Sequence, residues 1–352
     1  VVKKMIKVYN IQMAITNLEE LEKYICLTSD EREWDKNGKN TLPILISDNI
    51  LPLLNEEAIR RQFVPSKAEN DDTIGTLDPQ EEHRYSITPR LVRRYKNRAA
   101  FLVTDSCFAY CRHCFRRRFS GSMVGPCSDE DIKDALSFLK EHMEIKELLL
   151  TGGDLFTLSN ERLDYLLSSL KGAREDLILR LCTRALFSNP KRFTPELFKI
   201  IEKNNYGAPF YLLTQFNHAS ELTQDTKVAI RGFVKLGIPM MNQCVLLKGV
   251  NDTLEAQVEL CNILLYNRIK PYYLFQGDLV QGTRHLRVAL SDGLKLEEEM
   301  RENLSGLGMP QYTLDLPEGG GKIPLSKCYL KERNNDIWTI ETPDGDIRHY
   351  PN

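Results

Sequence analysis

Between residues 99 and 276, short apolar runs alternate with longer amphipathic stretches. The runs fall at 99–104, 147–151, 177–182, 210–215, 240–247 and 272–276; helical spacing fills 129–141, 161–171, 195–203, 224–236 and 254–266. Apolar runs bounded by turn residues and separated by helices are the pattern of parallel strands in βα units. Six such strands predict an α/β fold, an incomplete (βα)6 barrel or an open parallel sheet. In a βα barrel the chemistry collects on loops at the C-terminal ends of the strands. The polar residues fall there: 105–114 after the first run, 152–154 after the second, 215–218 after the fourth and Asp278 after the sixth.

The flanking segments read differently. Residues 1–90 are polar, with helical apolar spacing around Leu18, Leu21 and Ile25 and again over 50–54, and 65–89 reads as a loop. Beyond a helix ending near Leu304 come a β segment at 312–315, a glycine run, and a hairpin of 338–342 with 347–350 about Pro343-Asp344-Gly345. The expected division is a helical N-terminal region, 1–90, a barrel, 91–306, and a C-terminal β segment, 307–352.

Composition narrows the partners. A net charge of −2 gives no bulk case for nucleic acid or a membrane surface. Arg112 and Arg116 to Arg118 on one loop are too few to make one. No apolar run reaches the roughly 20 residues of a membrane span. Nine cysteines, an odd number in a chain too large to need disulfide staples, fit a reducing compartment and a cytoplasmic location.

Six of those cysteines stand alone and read as small buried residues. The other three are Cys107, Cys111 and Cys114, spaced C-x3-C-x2-C on the loop after the first strand. Three thiolates so close can hold three irons of a 4Fe–4S cube and leave the fourth open to an outside ligand. Zinc is the competing reading, with His113 adjacent, but zinc ligands usually come as two separated pairs. Gly152-Gly153-Asp154 follows the second strand, where glycines let a backbone approach a ligand closely.

With these residues in hand, the chain resembles the lysine 2,3-aminomutase family of radical S-adenosylmethionine (SAM) enzymes. The likeness runs from about Asp78 to Thr342. It includes Asp78-Pro79 with Glu82-His83, Arg94-Tyr95-x-x-Arg98, the cysteine loop with Arg116-Arg117-Arg118-Phe119, and Gly152-Gly153-Asp154. Further matches are Phe216-Asn217-His218, Asn242-Gln243, Gly249-Val250-Asn251-Asp252, Pro271-Tyr272-Tyr273 and Asp315-x-Pro317-x-Gly319-Gly320-Gly321-Lys322.

The resemblance implies a radical SAM barrel and three cofactors. These are a 4Fe–4S cluster on Cys107, Cys111 and Cys114, SAM near Gly152, Gly153, Asp154 and Gln243, and pyridoxal 5′-phosphate (PLP). Lys322 would carry PLP as a Schiff base, and Arg94, Tyr95 and Arg98 would serve its phosphate, as a guanidinium fork suits an oxyanion. A reductant such as flavodoxin or ferredoxin is implied as well. The implied reaction moves an amino group from Cα to Cβ of an amino acid by way of a 5′-deoxyadenosyl radical.

In lysine-specific members an arginine beyond the third cysteine pairs with the substrate carboxylate and two aspartates grip its distal ammonium. The matching positions are Arg116, Asp278 and Asp315. An acidic pair suits a cation and repels glutamate, so L-lysine giving L-β-lysine is the expected reaction.

Two departures stand out. Gln215 replaces a histidine usual in the family. The cysteines that bind an interface zinc in long-chain members have no counterpart, with Thr253 at the partner position, so a homodimer without that zinc is expected. In length the chain also resembles a short branch that converts lysine for attachment to translation elongation factor P. The same chemistry on another amino acid is one alternative; a non-catalytic iron–sulfur or zinc module is an alternative of a different class.

Overall fold

The computed structural model describes residues 14–38, 41–334, 336–342 and 345–351. All six expected strands are present: β2 (Arg98–Thr104), β3 (Glu147–Gly152), β4 (Ile178–Thr183), β5 (Phe210–Thr214), β6 (Met240–Val245) and β7 (Ile269–Phe275). Each pairs in parallel with the next. Three more strands extend this sheet. β1 (Leu91–Tyr95) pairs antiparallel with β2, β8 (Gln311–Leu316) runs parallel to β7, and β9 (Gly321–Pro324) returns antiparallel to β8. The nine strands lie side by side in chain order.

The sheet is strongly curled. Laid flat, its edge strands β1 and β9 would stand roughly 38 Å apart, eight gaps of about 4.8 Å. Yet the Lys322 backbone N–H on β9 donates to Tyr95 Oη on β1 across 3.2 Å. The result is an incomplete barrel whose open seam is bridged by side chains.

Six helices cover the outside: α1 (Asp129–Glu141), α2 (Asn160–Ala173), α3 (Pro195–Asn204), α4 (Gln224–Lys235), α5 (Leu254–Tyr266) and α6 (Leu290–Asn303). The first five start on hydroxyl caps, Ser128, Ser159, Thr194, Thr223 and Thr253, which satisfy amide groups the first turn leaves unpaired. Thr253 thus has a local structural role. The alternation along the strands sorts the residues. On β4, Leu179 and Leu181 join the core under the helices, while Arg180 and Cys182 face the lumen.

Among the described residues the N-terminal region is α-helical in short pieces, Leu18–Leu21, Ser29–Arg32, Glu57–Phe63 and Lys67–Asn70. Prolines at 43, 52, 65, 79 and 89 interrupt it. Its Ile15, Leu21, Ile46, Ile59 and Phe63 belong to the same core as the barrel strands. At the other end, β10 (Leu330–Asn334), β11 (Ile337–Glu341) and β12 (Ile347–Pro351) form an antiparallel sheet. The expected hairpin is β11 with β12, and its turn residues Pro343 and Asp344 lie outside the described residues. Among the described residues no helix is long and apolar enough to cross a membrane.

Candidate active site

Every residue named above as a site candidate lines one cavity of about 410 Å³ that runs through the barrel lumen. It is floored by i, i+2 pairs from the strands, such as Leu149 with Thr151, Arg180 with Cys182, Gln243 with Val245 and Tyr273 with Phe275. Because β1 is antiparallel, Arg94, Tyr95 and Arg98 sit at the opposite end of the strands from the cysteine loop. The cavity therefore has a cysteine end and an arginine–lysine end.

At the cysteine end, Leu42, Leu45 and Tyr110 form an apolar cluster that packs against Cys107 and Cys114. Cys111 Sγ accepts from Arg184 Nη1 at 2.7 Å. Burial pushes the Cys107 and Cys111 thiols above the usual thiol range, and Arg184 opposes that rise at Cys111. The loop is braced from the N-terminal region. Arg112 donates to both Glu69 oxygens, at 2.7 and 2.6 Å, and to Pro43 O, while Arg117 donates to Glu69 at 2.8 Å.

His113 is held neutral by burial and by the charges of Arg184 and Arg117. Its Nε2 faces the amide nitrogens of Gln215, at 3.5 Å, and Asn217, at 3.3 Å. Both can only donate, so Nε2 accepts and Nδ1 carries the proton. That Nδ1 is buried without a partner among the described residues.

The Gly152-Gly153-Asp154 turn packs closely on the cysteine loop. A Cβ on Gly152 would lie 2.5 Å from Thr104 O, and one on Gly153 would lie 2.2 Å from Ser106 O. The glycines thus let this turn press against the cysteine loop, and both also line the cavity. The Asp154 carboxylate is taken up internally, accepting from Thr183 Oγ1 and from the amides of Phe156, Arg184 and Ala185. Any contact from this turn to a ligand falls to its backbone.

At the other end, β8 and β9 bring Asp315 directly opposite Lys322, and the two side chains form an ion pair. Lys322 Nζ also lies 4.5 Å from the centre of the Phe275 ring. The glycine run makes the β8–β9 turn, where Gly319 has φ +73° and a Cβ would meet Tyr85 Oη at 2.8 Å. Across the seam, the Arg98 guanidinium lies 3.7 Å from the Tyr95 ring centre, and Arg94 stands between the Tyr85 and Tyr95 rings.

Arg116 and Asp278 lie between the two ends. Arg116 donates from Nε and Nη2 to Glu82, at 3.0 and 2.7 Å, and from Nη1 to Thr151 at 3.1 Å. Asp278 accepts from Gln80 at 3.2 Å. Burial, then the nearby charge of Asp315, pushes its carboxyl up to about 6.

No protein-family profile matches the chain. Curated relatives do. It is 34% identical over 347 residues to the L-lysine 2,3-aminomutase of Clostridium subterminale, covering 97% of this chain and 83% of that protein. It is 35% identical to the enzyme of the same name from Acetoanaerobium sticklandii, with the same coverage. The chain belongs to the lysine 2,3-aminomutase family. That family is not confined to one substrate name. The glutamate 2,3-aminomutase of Clostridioides difficile is 36% identical over 337 residues, covering 95% of this chain and 79% of that protein.

The protein is therefore an isomerase of the aminomutase family, whose cofactors are a 4Fe–4S cluster, SAM and PLP. Its residues fit them. Among the described residues no three His, Cys, Asp or Glu side chains converge on a single ion. A 4Fe–4S cube asks for something else: three thiolates around one space, each on its own iron. The three cysteines line one cavity with an apolar shield behind two of them. At the lysine end, Arg94 Nη2 is buried and unpartnered among the described residues, as a donor awaiting an oxyanion would be. His113, whose Nδ1 is unpartnered among the described residues, and Gln243 both line the same cavity.

Several residues that the sequence did not single out come into the site: Gln80, Tyr85 and Arg184 line the cavity, Gln62 and Glu221 hold Arg184 from behind, and Glu82 pairs with Arg116. Glu82 was visible only as part of a motif without a role. Arg184 carried one weak signal, its place directly after a barrel strand.

Proposed function

We propose that this aminomutase moves the α-amino group of L-lysine to the β-carbon, giving L-β-lysine. The observation that carries the substrate choice is the acidic pair. Asp278 and Asp315 share the cavity with Lys322, close enough for the charge of Asp315 to raise the Asp278 pKa. Asp315 Oδ1 is buried without a partner among the described residues. Such a pair favours a cationic side chain and penalises the carboxylate of glutamate.

When bound, the cluster with SAM supplies a radical that takes hydrogen from the substrate, and PLP supplies a conjugated ring to hold the migrating nitrogen. The chain's own residues do the rest by positioning. Arg116 has five N–H donors; those on Nε, one on Nη2 and one on Nη1 are occupied by Glu82 and Thr151. One N–H on each terminal nitrogen remains, enough for the α-carboxylate common to all amino-acid substrates. Asp315 pairs with Lys322 until that nitrogen is bonded elsewhere, and is then free for the distal ammonium. The apolar walls from Leu149, Leu213, Val245 and Phe275 keep water from the reacting carbons.

An anaerobic assay with the reconstituted protein, a reductant, and lysine, glutamate or alanine in turn tests the reading, with NMR of the products. β-Lysine as the main product supports it. β-Glutamate formed faster than β-lysine would reject lysine while leaving the aminomutase chemistry intact.

A further inference from the structure

Arg184 is a buried cation that the positioning roles above do not use. It follows β4 directly, and its guanidinium stacks at 4.7 Å on the Phe63 ring. Its three contacts have distinct characters. Nη1 meets Cys111 Sγ at 2.7 Å, Nη2 meets Gln62 Oε1 at 2.6 Å, and Nη2 also spans both Glu221 oxygens at 3.1 and 3.0 Å. Glu221 is fully buried, and it further accepts from Gln62 and from the Asn217 and His218 amides. The arginine is thus locked in one direction, with a single fork nitrogen aimed at one cysteine sulfur.

We propose that Arg184 is a positioning residue for the cluster, donating to the Cys111 thiolate and raising the cluster's reduction potential, with Glu221 setting how much of its charge the cluster feels. The inference rests on the cluster reading of the three cysteines. Reduction adds an electron to an already anionic centre, so a hydrogen bond and a positive charge at a ligand sulfur favour the reduced form. A carboxylate behind the arginine works the other way. Among the described residues, Cys111 alone of the three thiols has such a donor: the contact of Cys114 is the Ser120 hydroxyl at 3.6 Å. The arginine therefore acts on one corner of the cube.

The test is an EPR-monitored redox titration of the reconstituted protein without SAM, on wild type, Arg184→Met, Arg184→Lys and Glu221→Gln. Arg184→Met should shift the midpoint to more negative potential, by about tenfold in the reduction equilibrium or about 59 mV for one electron. Arg184→Lys should recover part of that shift, and Glu221→Gln should move the midpoint in the positive direction. Opposite signs are the signature, since a merely structural pair would lower cluster content in both variants without moving the potentials apart. If Arg184→Met holds no iron, the lysine and glutamine variants decide between the same two outcomes. Unchanged midpoints, or shifts of one sign throughout, overturn the proposal. So does a weaker affinity for SAM at constant potential, which would make Arg184 a SAM ligand instead. A wild type that forms no 4Fe–4S cluster would reject the cluster reading itself, a separate outcome.

Discussion

The two ends of the cavity are built on opposite plans. At the cysteine end, the buried ionic groups pair with one another: Glu69 is shared by Arg112 and Arg117, Arg184 is held by Glu221, and the Asp154 carboxylate accepts four different groups, while Nε of Arg117 and Arg184 and Nδ1 of His113 stay unpartnered among the described residues. At the lysine end, Arg94 Nη2 and Asp315 Oδ1 are buried without partners among the described residues, and the Lys322 ammonium pairs with Asp315 beside the Phe275 ring. Unmatched buried polar groups cost stability, and the two residues that carry them at the lysine end, Arg94 and Asp315, both line the cavity. The cysteine end ties its charged groups into a network with the N-terminal region, and the lysine end leaves one ion pair lining the cavity.

The sharpest way to break this comparison is to disable each end in turn. Cys107→Ala, Cys111→Ala or Cys114→Ala should abolish both the cluster and SAM cleavage, read as iron content and 5′-deoxyadenosine, whereas Cys182→Ala should keep the cluster. Lys322→Ala should retain the cluster but lose covalent PLP. Borohydride reduction and peptide mapping of the wild type should place the pyridoxyl group on Lys322. A Cys111→Ala protein that still yields 5′-deoxyadenosine, or a label on another lysine, would dissolve the division into two ends.

Charge removal should separate the ends by kind as well as by size. Glu69→Gln leaves two buried guanidinium groups without their shared carboxylate, and breaking such a pair costs about 3–5 kcal/mol of stability. Chemical denaturation of the cofactor-free protein would read it. Asp315→Asn should cost far less by the same measurement, because its pairing with Lys322 is partly open to solvent. Equal losses would mean that both carboxylates are scaffold.

The contrast also explains what could be read from the sequence. Strands β2 to β7 announced themselves because their outward residues, such as Leu148, Leu150, Leu179 and Leu181, bury a continuous apolar face. Edge strands β1 and β9 did not, since Arg93, Arg94 and Lys322 interrupt any such pattern. The lysine end was legible through resemblance, as its residues sit in compact motifs. The network of the cysteine end was not. Arg184 reaches Cys111 across 73 positions and Gln62 reaches Glu221 across 159, and a lone buried charge has no local signature.

Substrate recognition gives a smaller effect that sharpens the assignment of the lysine end. Charge-assisted hydrogen bonds to an ammonium are worth roughly 1.5–3 kcal/mol each. Asp315→Asn should therefore lower the ratio of lysine to alanine turnover by about one to two powers of ten, since about 1.4 kcal/mol is tenfold. Arg116→Ala should harm both substrates alike. An unchanged ratio in Asp315→Asn would remove lysine as the substrate.

The mildest effect is one of pH, and it isolates Asp278. Burial first, and the charge of Asp315 second, raise its carboxyl to about 6. Below that pH Asp278 is protonated and neutral, so it no longer attracts an ammonium; above it the carboxylate is charged and does. For kcat/KM, which reports the free enzyme, lysine turnover should fall about tenfold per unit as pH drops below about 6. Alanine, with no distal charge, should lack that limb. The same shift has a stability consequence of known sign. A carboxyl whose pKa is raised on folding is better tolerated protonated, so ionised Asp278 weakens the fold as pH rises through about 6. Asp278→Asn should remove the lysine-specific acid limb and that pH-dependent loss of stability together. Asp315→Asn, by taking away the neighbouring charge, should move the limb to lower pH without abolishing it. A limb that persists unmoved in both variants belongs to another group, and the acidic pair would then have no part in reading the substrate.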